Sequence, residues 1–162
     1  MSFGTGHHQT TYLMIKNQME MDHRGKRVMD AGCGTAVLSI MASKLGAKEV
    51  EAFDIDEWSV VNGKENQEVN HCANINQQQG KLADLTFDEN FDIILANINK
   101  NVLLDEMHQY AAYLNPGGLL LLSGFFEDDI ADLLKSANRY HMKELGRDSR
   151  ENWAALLLQK NN

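Results

Sequence analysis

The chain has few of the features that mark disulfide-built, membrane-spanning or polyanion-binding proteins. It has two cysteines, Cys33 and Cys72, too few for a disulfide framework. Free thiols fit a reducing compartment, so a cytoplasmic protein is expected. No apolar run approaches the roughly 20 residues of a membrane span, and no signal peptide is visible. A net charge of −8 argues against a broad nucleic-acid-binding surface. The six histidines form no metal-ligand pattern, so no metal is expected. Repeats, flexible linkers and low-complexity tracts are missing as well. What remains is 162 residues with an ordinary apolar fraction of 43%, enough for one domain around one core.

One stretch organises the rest, Arg27-Val-Met-Asp-Ala-Gly-Cys-Gly-Thr-Ala-Val-Leu-Ser-Ile40. It reads as a buried strand, a glycine turn and a helix opened by Thr35 through Val37, Leu38, Met41 and Leu45. Gly32 and Gly34 permit a tight turn and close backbone approach. The unpaired N–H groups of the helix start suit a polar or anionic ligand. Cys33, inside the turn, reads as a small residue that fits, since no base accompanies it. Val50-Glu-Ala-Phe-Asp54 reads as the next strand, and Asp54 follows Gly32 by 22 residues. At about that spacing an acidic residue takes ribose hydroxyls in nucleotide-binding βαβ units. The alternative for Asp54 is a cap of the third helix or a solvated strand end. The dinucleotide fingerprint needs a glycine where Val37 stands, which disfavours a nicotinamide cofactor.

Around this stretch, strand and helix patterns alternate. A helix is expected from about Thr11 to Met21, capped by Thr10 or Thr11, with Tyr12, Ile15 and Met19 on one face. Asp56 caps a third helix over about 57–70, with Trp58, Val61, Val69 and Cys72 as its buried side. The polar run Cys72–Gly80 reads as a loop around a short strand, leaving Asp84 near the strand ends. Phe91-Asp-Ile-Ile-Leu-Ala96 is a fully buried strand leading into Asn97. A helix over about 102–114 stops at Asn115-Pro-Gly-Gly118, which holds the only proline. Leu119–Leu122 is another buried strand, and Ser123–Phe126 is its end loop. A helix carries Ile130, Leu133, Leu134 and Ala137 on one face. Two closing strands, about 140–145 and 153–159, flank a connection over 146–152. The pattern predicts an α/β fold with a mostly parallel sheet, helices on both faces and an antiparallel strand in the C-terminal hairpin. Ligands of such sheets bind at the carboxyl ends of the strands, where the Gly32 turn, Asp54, Asp84 and Asn97 fall.

A strand ending in Asp30-x-Gly-x-Gly34, with Asp54 closing the next strand, resembles class I S-adenosylmethionine-dependent methyltransferases. Ala36 stands where those proteins usually carry a third glycine; as the better helix former it is expected to be tolerated. The resemblance becomes specific in Phe3-Gly-Thr-Gly-His-His-Gln-Thr-Thr11, Asp30-Ala-Gly-Cys-Gly-Thr35, Lys44-Leu-Gly-Ala47, Phe53-Asp-Ile-Asp56, Ala96-Asn-Ile98 and Ser123-Gly124. Together these segments are similar to the ribosomal protein L-eleven methyltransferase (PrmA) family, over essentially the whole chain.

The resemblance implies a Rossmann-like, doubly wound, seven-stranded sheet, S-adenosylmethionine as cofactor, and amino groups of a ribosomal protein as acceptors. It implies that residues 1–162 are one catalytic domain, with an entry loop and first helix over 1–22 and without the N-terminal recognition domain of the family. By motif, Thr11 would contact the cofactor, and Gly32 and Gly34 would lie against it. Asp54 would hold the ribose, and Asn97 would sit beside the methyl group and place the incoming amine. Asp84 is a candidate for the adenine amino group or an exposed turn residue. His7 and His8 would cover the cofactor or lie in a solvated loop, and the alternative for Asn97 is a cap of the fourth helix. Two other functions stay open: transfer to a small-molecule or nucleobase amine, and a cofactor-binding domain without turnover.

Overall fold

The computed structural model describes residues 7–162, with side chains from His8 onward. Phe3–Gly6 and the His7 side chain, part of the expected entry loop, lie outside the described residues. The strands are β1 (Arg27–Ala31), β2 (Glu49–Asp54), β3 (Ile75–Gln79), β4 (Phe91–Asn97), β5 (Leu114–Phe126), β6 (Met142–Arg150) and β7 (Trp153–Lys160). They form one sheet in the order β3-β2-β1-β4-β5-β7-β6. Neighbours from β3 to β5 run parallel, and β7 is antiparallel to both β5 and β6. The order reverses between β1 and β4, so the crevice for a ligand opens beyond their carboxyl ends.

The helices are α1 (His7–Met19), α2 (Val37–Lys44), α3 (Glu57–Val69), α4 (Lys100–Tyr113) and α5 (Ile130–Arg139). On one face, Met14 of α1 and Leu38 and Ala42 of α2 pack with Val28, Val50, Ile93, Leu95 and Leu121 of the sheet. On the other, Leu103 and Met107 of α4 and Leu133 and Ala137 of α5 pack with Met29, Ile94, Leu120, Leu122 and Leu156. Apolar residues of β1, β4 and β5 thus face a core on both sides, as continuous runs in parallel strands do. No helix among the described residues is long and apolar enough to cross a membrane.

Four local expectations change. The first helix begins at His7, so Thr10 and Thr11 lie within it and neither is its cap. Its inward residues are Leu13, Met14 and Gln18, whereas Tyr12 and Met19 are exposed. Helix α3 is capped by Asp56, which accepts from Trp58 N–H at 3.1 Å, but it buries Ser59, Val60, Gly63 and Gln67. Trp58, Val61 and Val69 face outward instead. A polar inner face escapes hydrophobic periodicity because it follows hydrogen bonding rather than apolar area. Residues 123–126 continue β5 through a register shift between Ser123 and Phe125 instead of forming a loop. The closing strands extend to Arg150 and resume at Trp153, joined by Glu151 and Asn152 at φ 50° and 72°.

That hairpin clasps α1. Asp148 pairs with Lys16 at 3.0 Å, Arg150 donates to Gln9 Oε1 at 2.8 Å, and Gln9 also reaches Glu151. The Arg150 guanidinium lies 4.0 Å above the Tyr12 ring. Gln9, Tyr12 and Lys16 share one stripe of the helix.

Candidate active site

The glycine turn follows directly from β1. Gly32 and Gly34 have φ of 65° and 53°, and Ala36 has φ 71°. Ala36 is therefore the left-handed residue before α2, not part of the helix, and helix propensity does not decide its tolerance. The left-handed region costs a non-glycine residue about 1–2 kcal/mol, while its fully buried methyl recovers about 0.8 kcal/mol.

Three strands bring their ends to this turn. Asp54, at the end of β2, accepts the Gly34 N–H through Oδ2 at 2.8 Å and the Asp56 N–H through Oδ1 at 2.9 Å. Each carboxylate oxygen keeps a further lone pair for a ligand hydroxyl. Asn97, at the end of β4, stands opposite Ser123 of β5. Its Oδ1 is buried and has no hydrogen-bond partner among the described residues. It does not cap α4; Asn99 does, accepting from Val102 N–H at 3.1 Å.

Ile98, next in the chain, is held between two glycines to which the sequence assigned no such task. A Cβ on Gly32 would lie 3.0 Å from Ile98 Cγ2, and one on Gly124 only 2.4 Å from Ile98 O. The Ile98 N–H donates to Ser123 O at 3.1 Å. The backbone after Asn97 is thereby fixed between the turn after β1 and the bulge in β5, which sets where the Asn97 amide sits. By contrast, a Cβ on Gly34 would meet nothing within 4 Å, so the turn faces open space there.

Beneath the turn, Asp30 is buried in β1 and accepts from Ser39 Oγ of α2 at 2.6 Å, while its Oδ1 has no partner among the described residues. Burial first, and then the nearby Asp54 charge, push its carboxyl up to about 7, against the pull of the Ser39 hydrogen bond. Burial likewise pushes the Cys33 thiol well above its ordinary range, which suits a packing residue and not a nucleophile. Gln77 of β3 donates to Cys33 Sγ and Gly34 O, both at 3.2 Å. The signal for it lay in the glutamines of the polar run, where strand alternation turns the middle residue of β3 inward.

The remaining candidates are less central. Thr11 is half-buried in the second turn of α1 and His8 is exposed in its first. Asp84 closes a 3₁₀ turn over Leu82–Asp84 after β3 and is exposed.

A nucleotide-type crevice fits these residues. It offers an open glycine turn, a carboxylate at the end of the neighbouring strand and a buried acceptor without a partner. Sheet order, glycine turn and strand-end carboxylate together define the class I S-adenosylmethionine-dependent methyltransferase fold. The chain belongs to the family described as ribosomal protein L11 methyltransferase (PrmA), which it matches over residues 1–161. It is 48% identical over 156 residues to the ribosomal protein L11 methyltransferase of Porphyromonas gingivalis, covering 96% of this chain and 54% of that protein. With that of Phocaeicola vulgatus it is 44% identical, covering 96% and 56%. The crystal structure of ribosomal protein L11 methylase from Lactobacillus delbrueckii subsp. bulgaricus superposes with a TM-score of 0.90 at 31% identity, covering 97% of this chain and 81% of that one. The chain thus spans about half the length of the curated relatives it matches.

Proposed function

We propose that this chain is the catalytic domain, residues 1–162, of a cytoplasmic S-adenosylmethionine-dependent enzyme that methylates amino groups of ribosomal protein L11. The observation carrying the reading is the buried Oδ1 of Asn97 at the end of β4, which has no partner among the described residues. An orphaned buried acceptor costs about 1–3 kcal/mol, and an arriving N–H donor removes that cost. Family membership supports the choice of cofactor and acceptor.

When bound, the cofactor supplies an electrophilic methyl group on a sulfonium. Asp54 takes the ribose hydroxyls on the lone pairs left over from the Gly34 and Asp56 N–H groups. Gly32 and Gly34 bring the backbone against the methionine portion, Thr11 contacts the cofactor from α1, and Asp84 receives the adenine amino group. Asn97 accepts an N–H of the neutral amine, which aims the nitrogen lone pair away from Oδ1. A lysine ammonium has a reference pKa of about 10.4, so the crevice must favour the neutral form by withdrawing it from water. Alignment of a near-attack pair supplies on the order of 7–11 kcal/mol, and this is the protein's share of the chemistry.

The test is calorimetric titration with S-adenosylmethionine beside an NAD control, then transfer of labelled methyl groups into ribosomal protein L11, ribosomal RNA and small amines. Saturable binding of S-adenosylmethionine alone and label in L11 are expected. Label in RNA or small amines instead would reassign the acceptor, and binding without transfer would make the chain a binding domain. No binding would overturn the reading.

A further inference from the structure

Two costs are incurred together behind the glycine turn. Gln77 is 5% exposed on β3, and burying an amide is unfavourable unless its groups are hydrogen-bonded. Opposite it, α3 carries Gly63 in its interior, where glycine costs about 1 kcal/mol against alanine. A Cβ there would lie 2.3 Å from Gln77 Oε1 and 2.5 Å from Nε2, so the helix leaves out a side chain to admit the amide. Gln67 of α3 donates to Gln77 Oε1 at 2.7 Å. That contact fixes the amide's orientation and turns Nε2 toward Cys33 Sγ and Gly34 O, both at 3.2 Å. Next to Gln67 on α3, Asn66 donates to Thr35 O at 3.0 Å. Two successive carbonyls of the turn are thus held, Gly34 O by Gln77 of β3 and Thr35 O by Asn66 of α3. In a trans peptide the N–H points opposite to the C=O, so holding Gly34 O directs the Thr35 N–H away from the Gln77 amide.

We propose that Gln77 is a positioning residue: its buried amide, oriented by Gln67 and admitted by Gly63, sets the Gly34–Thr35 peptide for cofactor binding. This rests on the cofactor reading given above. An apolar residue at this position would fill the same space without holding the carbonyl.

The experiment compares affinity for S-adenosylhomocysteine, by calorimetry, with the thermal midpoint. Gln77→Met keeps the volume and removes both donors, and is expected to weaken binding about tenfold. Gln77→Ala opens a void and lowers the midpoint as well. Adding Gly63→Ala to Gln77→Ala refills part of that void, so the midpoint recovers in part while the affinity stays low. Affinity unchanged in Gln77→Met, or returning in step with the midpoint in the double variant, would show a merely structural role and overturn the proposal. Failure of the unaltered chain to bind would overturn the cofactor reading, and the proposal with it. The two failures are distinct, because only the second abolishes wild-type binding.

Discussion

Asp54 Oδ2 accepts the Gly34 N–H at 2.8 Å, joining the end of β2 to the turn that follows β1. One carboxylate thereby shapes the turn and, on the reading above, faces the ribose. Removing it should act on both. Asp54→Ala is expected to weaken S-adenosylmethionine binding by roughly two orders of magnitude through loss of charge-assisted hydrogen bonds. It should also destabilise the chain by about 1–2 kcal/mol as the Gly34 and Asp56 N–H groups lose their acceptor. Calorimetry and urea unfolding measure the two losses separately; wild-type affinity would remove Asp54 from the site.

Asn97→Ala should separate activity from stability. Its Oδ1 is buried without a partner among the described residues, so truncation relieves a cost while opening a small void. The midpoint of unfolding is expected to stay within a few degrees of wild type, a shift corresponding to about 1 kcal/mol or less. Turnover should fall about a hundredfold, the cost of losing one positioned acceptor worth roughly 2.7 kcal/mol. An unchanged kcat would sink the catalytic role.

Ala36 tests how the missing third glycine is tolerated. Ala36→Gly relieves about 1–2 kcal/mol of left-handed strain. It also loses about 0.8 kcal/mol of methyl burial and adds about 0.4–1 kcal/mol of unfolded-state entropy. These nearly cancel, so a change under about 1 kcal/mol is expected. Ala36→Val should cost more than about 2 kcal/mol, because a β-branched residue is a genuine outlier at such φ. Chemical denaturation of both variants checks the contrast.

Asp30 should make stability fall as pH rises. Its folded carboxyl lies at about 7 against 3.8 for the ordinary group, so between these values the folded state holds a proton that the unfolded chain has released. The stabilising contribution is full below about pH 4, declines toward pH 7 and is absent above it. Three pH units correspond to roughly 4 kcal/mol. Asp30→Asn, which keeps an acceptor for Ser39, should therefore be more stable than wild type at pH 8. The advantage should disappear toward pH 4. Thermal midpoints across that range measure it, and a pH-independent difference would contradict the assignment.

Much of the sheet was legible because Val28-Met29, Phe53, Ile93–Ala96 and Leu119–Leu122 are apolar in runs, and runs report burial directly. Asp54 and Asn97 were legible because they end such runs. What escaped was polar or conformational. Gln67 and Gln77 are buried for hydrogen bonding, so they broke the apolar pattern used to orient α3. Ala36 has its unusual backbone from its position between the turn and α2, which its own side chain does not announce. The tasks of Gly32 and Gly124 depend on Ile98, which lies 66 residues after the first and 26 before the second; no local window contains all three.

The clasp between α1 and the closing hairpin bears on the order in which the chain can mature. Gln9 meets Glu151 across 142 residues of sequence, and a contact so distant along the chain forms late. During synthesis β1, the glycine turn, β2 and β4 emerge well before the strands that fasten α1. A nascent chain therefore passes through a stage with its central strands made and the clasp on its first helix unformed. Completion of the clasp waits for Asp148, Arg150 and Glu151, so a ribosome stalled before Asp148 would display the glycine turn with α1 held by its core packing alone.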